Sequence, residues 1–296
     1  WSPATIPDPY TRVTVADVTN DPAFTANVSL AGLTINSGAI LDLDGFNLTM
    51  NDAGTFSNTG TFRPQGGETL SSLTMDTDSG TVTYDGSGTY TSLIGGNTYQ
   101  NLTFNGTGSW SPAANVTVNG QLNVTGGTYS PGANTTTVTD TATVNGGTAT
   151  LGSGTATFNT GLTVSSGTFT GGSGTVDVNG GALTLSGGTL TAPSGSFTIA
   201  GDWTKSGGTF TSGSNTVTFD GSGAQTLTSG GTDANSDFNN LTVNKSGGTL
   251  SLATNALDVD GTLTVTAGTF SPGSLNVTTG ALTVNGGTFT GGSGTA

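Results

Sequence analysis

The chain contains no cysteine and no histidine. That removes disulfide cross-links, thiol nucleophiles, zinc-finger ligand sets and imidazole acid–base chemistry together. Basic residues are nearly as scarce: Arg12, Arg63, Lys205 and Lys245 stand against 18 acids, for a formal net charge of −14. A surface of that sign repels phosphate backbones, so nucleic acid is not expected as a partner. No apolar run approaches the roughly 20 residues that cross a bilayer as a helix, and no membrane span is expected. Helical periodicity is missing too, so helix content should be close to nil.

Only 31% of the 296 residues are hydrophobic and 7% charged. Low hydrophobicity goes with disorder when charge and proline are high, but here the few apolar residues are β-branched or aromatic and placed at fixed intervals. From Leu162 they fall at Leu162, Val164, Phe169, Val176 and Val178, offsets of 0, +2, +7, +14 and +16. The same offsets recur from Leu183 and Ala142, and from Leu102 with one change: Ser109 stands at +7 and Trp110 one place beyond. A step of Gly, Thr and an aromatic or apolar residue begins at Gly127, Gly147, Gly167, Gly188, Gly208, Gly248, Gly268 and Gly287, with spacings of 20, 20, 21, 20, 40, 20 and 19. A fixed period of this size marks a solenoid in which each unit buries its inner face by stacking on its neighbours.

The fold expected is therefore all-β, a parallel β-solenoid of about 20 residues per coil. An offset of +2 puts two side chains on one face of a strand, and the longer jumps carry Gly and Ser to turn corners. Roughly 15 coils at about 4.8 Å would make a rod on the order of 70 Å long. Parallel crossovers are overwhelmingly right-handed, so a right-handed β-helix is expected. Residues 1–27, which hold Pro3, Pro7, Pro9 and Pro22, read as an N-terminal cap, arm or joint, and 28–296 as the rod. Two irregular units interrupt it near 82–104 and 217–243, each opening on Asp-Gly-Ser-Gly (from Asp85 and Asp220) and closing on Asn-Leu-Thr (from Asn101 and Asn240). Their Gly86 and Gly221 lie 221 − 86 = 135 residues apart, a longer repeat laid over the short one. The linking stretches, 89–98 and 224–237, are where loops are expected to leave the rod.

Segments such as Leu33-Thr34-Ile35-Asn36-Ser37-Gly38-Ala39, Leu41 to Thr49 and Phe238 to Thr249 resemble the β-strand repeats of very large bacterial surface proteins, in the style of adhesins and filamentous-haemagglutinin-like β-helices. The likeness covers about residues 28–296. It implies architecture more than activity, since such repeats serve as stalks, adhesins and fibre material alike. It also implies an extracellular or cell-surface location.

Candidate chemistry is thin. Paired acids occur at Asp42 and Asp44, Asp76 and Asp78, and Asp258 and Asp260. Alternate positions on a strand would put both carboxylates on one face, where they could share Ca²⁺, the one cofactor considered, or form an acid–base pair. The competing reading is outward Asp that starts turns and solubilises the rod. Gly171-Gly172-Ser173-Gly174 begins a Ca²⁺-binding nonapeptide, but Val176 stands where its Asp belongs and the acid comes one place late as Asp177. Lys205 and Lys245 both precede Ser-Gly-Gly-Thr, and the expectation is a shifted corner through which each amine reaches water, against an ion pair or an intersubunit contact. The Asn-X-Ser/Thr sites, among them Asn27, Asn47, Asn101 and Asn240, read as stacked corner residues, with glycosylation as the alternative. Trp110, Tyr129, Phe169, Phe210 and Phe270 read as an inner stack, against a sugar-binding strip.

Three functions follow as expectations. The first is a secreted structural protein whose rods stack head to tail, on copies of themselves, into an extracellular filament or surface layer. The second is the stalk or passenger region of a bacterial surface adhesin, with a glycan or cell-surface ligand. The third is a carbohydrate-active β-helix enzyme, disfavoured because residues 64–204 contain no basic side chain to stabilise developing charge. The chain begins with Trp1 and closes on Leu282 to Ala296, almost a copy of Leu162 to Val176. A removed leader or a segment of something longer fits the start, and a fragment or a coil closed by the next subunit fits the end.

Overall fold

The computed structural model describes residues 7–294, with Asp52 and Ala53 described as backbone only. Among the described residues there is no helix, and the chain winds as a parallel β-solenoid of about 14 turns with about 20 residues per coil. At about 4.8 Å per coil the rod is roughly 65 Å long.

One rung shows how sequence becomes coil. Strands Leu162–Val164, Thr168–Thr170 and Val176–Val178 lie on three successive faces, called first, second and third in that order. Each pairs in parallel with its equivalents one coil before and one coil after: Leu162 with Ala142 and Leu183, Phe169 with Ala149 and Leu190, Val176 with Ala156 and Phe197. The five residues of the offset pattern are all buried. In the rung from Leu102 it is Trp110, and not Ser109, that turns inward, because Trp110 is in register with Tyr129. A single core cluster runs from Val15 to Val277, and the five aromatics read as an inner stack all lie within it. A core this thin suffices because most strands within the rod are paired above and below, which satisfies the backbone.

The corners need close backbone approach. Gly167 has φ of +74°, and a Cβ added at Gly174 would lie 1.9 Å from the Gly154 carbonyl oxygen of the coil beneath. Corner asparagines tie coils together: the Asn27 Oδ1 accepts from Asn47 N at 2.9 Å, and the Asn47 Oδ1 accepts from Thr69 N at 2.7 Å. That is the stacking role expected for them.

The second face forms a seven-stranded sheet spanning residues 89–211. The first and third faces merge into one large sheet, because strands Asn240–Leu252 and Leu257–Ser271 run round the corner between them. A four-stranded sheet covers the N-terminal coils, where Arg12–Val15 pairs with Gly32–Ile35 and Phe24 N bonds to the Asp42 carbonyl at 2.9 Å. Ladder pairing therefore already begins at Arg12.

Both irregular units keep more of the rod than expected. Thr89–Tyr90 pairs with Ser109–Trp110, and Gln225–Thr228 pairs with Trp203 and with Leu250 to Leu252. Within the linking stretches strand is lost over 91–97, at Ala224 and over 229–237. The second unit also resets the phase. Before it the Leu-Thr-Val strands occupy the first face; after it Leu241, Leu263 and Leu282 occupy the third, in line with Val217.

Candidate functional site

Charge concentrates at two places. The first stacks over three coils: Asp42, Arg63 and Asp85, separated in sequence by 63 − 42 = 21 and 85 − 63 = 22 residues. The Arg63 guanidinium reaches the Asp42 Oδ2 at 3.4 Å and the Asp85 Oδ2 at 3.8 Å. Glu68, 4% exposed, accepts backbone N–H bonds from Gln65 and Gly66, each at 2.7 Å. Burial, then the Asp42 charge, push the Asp85 carboxyl up to about 6 against the opposing pull of Arg63. The Asp85 Oδ1 is buried with no hydrogen-bond partner. The arrangement holds one carboxyl able to take a proton near neutral pH beside a guanidinium. The sequence reading passed over it; the one-coil spacing of an acid, a base and an acid was the signal available.

The second lies beside the later irregular unit and corrects the reading of Lys245. Lys205 is 5% and Lys245 1% exposed. The Lys245 Nζ donates to the Gly221 carbonyl at 2.9 Å and to the Gln225 Oε1, while the Gln225 Nε2 donates to the Ile199 carbonyl at 3.0 Å and to the Gly201 carbonyl. The amine turns inward because a corner carbonyl and an amide oxygen already converge there. Desolvation lowers its pKa, opposed by Asp220 and Asp202. Asp220 occupies the position that Asp85 holds in the earlier unit, is likewise pushed up by burial, and likewise buries an Oδ1 without a partner. Lys205 lies with its stem against Gly230.

The candidate Ca²⁺ pairs are arranged differently from one another. Strand Ile40–Asp42 ends at the first acid, so Asp42 and Asp44 do not share a strand face; the Asp42 Oδ1 accepts from Asp44 N at 2.8 Å, with Asp44 at φ +46°. Asp76 and Asp78 lie outside any strand. Asp76 accepts from Asn58 N at 2.8 Å, the Ser79 hydroxyl at 3.1 Å and Asp78 N at 3.2 Å. Burial pushes the Asp76 carboxyl up, but these bonds outweigh it and its pKa is lowered. Only Asp258 and Asp260 project from one strand, on either side of buried Val259, and their charges help hold Asp237 above the ordinary carboxylate range, after burial. Among the described residues no group of three or more acidic side chains is placed to hold a metal ion.

The last coil differs from those before it. Leu263 and Val265 are fully buried, whereas their ladder partners Leu282 and Val284 are 44% and 47% exposed. No family model, no curated protein and no solved structure matches the chain.

Proposed function

We propose that this chain is a secreted structural rod that stacks end to end, on further copies of itself, into an extracellular filament or surface layer. The observation that carries the reading is the single core running from Val15 to Val277, in which each coil is held by the coil on either side. Such a core has no intrinsic length, since any coil of matching shape extends it. The inward residues of successive coils are apolar and in register, so one copy can continue the core of another.

Negative-stain electron microscopy and sedimentation of the purified chain over a range of concentrations test this. Filaments of uniform width are expected, and Leu282→Asp with Val284→Asp should abolish them. Monomers persisting at high concentration would overturn the reading. The loop over 229–237, which exposes residues 232–235 and with them Asp233, favours a second reading as an adhesin stalk. That reading requires glycan or cell binding that disappears when the loop is deleted.

A further inference from the structure

The outward side of the second face is unlike the other two. In seven successive coils the residues on both sides of the inward one are Ser or Thr, from Thr89 and Thr91 around Tyr90 to Thr209 and Thr211 around Phe210. Over the last four coils all are threonine. Thr148, Thr168, Thr189 and Thr209 form one column, in unbroken register. Thr150, Thr170, Thr191 and Thr211 form a parallel column. None of the eight is buried, and none of their hydroxyls is hydrogen-bonded within the described chain. The first and third faces present a single outward column between two inward residues; it too is mostly threonine, broken by Asn123 on the first face and by Asp177 on the third, which accepts from the Thr198 hydroxyl at 2.8 Å.

Strand propensity does not explain this uniformity. An outward strand position accepts Val, Ile or Tyr as readily as Thr, and solubility favours interspersed charge. What two registered columns do supply is a regular lattice. Its points repeat about 4.8 Å apart along the rod and about 6.7 Å apart across each strand. Each carries one hydroxyl, free to donate and accept, and one methyl.

We infer that the second face binds the surface of an ice crystal, whose oxygen rows repeat at nearly these two separations. The hydroxyls hold a layer of water at lattice positions, the methyls fill the hollows between, and the layer joins the crystal. A ligand that repeats without limit suits a site that repeats, because many weak contacts then act at one fixed spacing. Charge would organise water around itself instead, and the array has none.

The test is partition of the full chain into a slowly growing ice front, with thermal hysteresis measured on the same samples. The wild-type rod should be enriched in the ice over a non-binding globular control. Thr168→Lys with Thr189→Lys should lower that enrichment about tenfold or more by breaking the lattice at its centre. Thr143→Lys with Thr163→Lys, on the first face, should leave it unchanged. Surface strand positions tolerate such changes within about 0.5 kcal/mol, and circular dichroism checks the fold of each variant. Exclusion of the wild type from ice, or equal enrichment of both double variants, would overturn the inference. So would retention on crystalline cellulose or chitin with none in ice, which would assign the face to a polymer lattice.

Discussion

The two irregular units, Val82 to Phe104 and Val217 to Val243, are variants of one sequence module placed on different faces. The earlier starts on the first face at Val82 and returns to it at Leu102, 20 residues on; the later starts on the third at Val217 and returns at Leu241, after 24. Their interiors differ in kind. In the earlier unit the Tyr84 and Tyr99 hydroxyls meet at 3.0 Å, Tyr84 accepts from Gly95 N at 3.0 Å, and Tyr99 donates to the Gly96 carbonyl at 2.6 Å. Trp110 donates its indole N–H to the Gln65 carbonyl at 3.1 Å. In the later unit Phe219 and Phe238 take the tyrosine positions, the buried Trp203 Nε1 has no acceptor, and a lysine is enclosed. Apolar shape alone is thus enough to continue the ladder; hydrogen bonding of the buried aromatics is a local addition at the earlier unit, while each unit leaves one aspartate oxygen unpaired.

The largest effect should come from the shared property. Phe104 is stacked on Tyr84 and Tyr129 with centroids at 5.7 and 4.9 Å, and Trp203 packs on Phe210 and Phe238 at 4.9 and 5.0 Å. Phe104→Ala and Trp203→Ala should each cost about 3–5 kcal/mol in denaturant unfolding. A loss confined to one unit would show that the two cores are not equivalent. The next effect sharpens it: Gln225→Leu takes an acceptor from Lys245 and should cost about 2–3 kcal/mol, and adding Lys245→Met should recover most of the loss. If the double variant is no better than the single, the lysine is not the source of the cost.

The rung itself was legible in the sequence. Inward positions two apart, and a return after about 20 residues, are periodicities that only stacked strands satisfy, and the buried rung Leu183, Leu185, Leu190, Phe197 and Ile199 follows that spacing. The change of face after Val217 was not legible, because Leu241-Thr242-Val243 has the same letters on the third face as Leu162-Thr163-Val164 on the first. Face is decided by how many residues the preceding loop consumes, which no local pattern records. Lys245 was misread for a related reason: Gly221 and Gln225, the groups that accept from it, are 24 and 20 residues away, one coil beneath. Asp42 and Asp44 failed as a shared strand face because a positive φ at Asp44 ends the alternation that the argument assumed.

Two smaller predictions concern the carboxylates. With Asp85 raised to about 6, folding favours its protonated form; the stability this contributes is complete below the ordinary value of 3.8 and is lost as pH rises through about 6. Asp85→Asn keeps the neutral shape. It should therefore leave stability unchanged at pH 3.5 and add on the order of 1 kcal/mol at pH 7.5, after discounting for a half-exposed site. A melting temperature that falls at pH 7.5 would give the Arg63 contact the larger share. The smallest effect expected is that of Ca²⁺: Asp42 and Asp76 already accept backbone N–H bonds, so EDTA or added Ca²⁺ should shift thermal unfolding by under about 0.5 kcal/mol, and a larger shift would restore those pairs as ligands.

The parallel ladders have a mechanical consequence. Their hydrogen bonds point along the rod, so a pull on its two ends loads the coils in series and strips them one at a time. Each coil that gives way releases about 20 residues, roughly 70 Å of contour once extended. A stretched rod would lengthen in near-equal increments at nearly constant tension, and single-molecule extension should show that plateau, with the departures falling at the two irregular units.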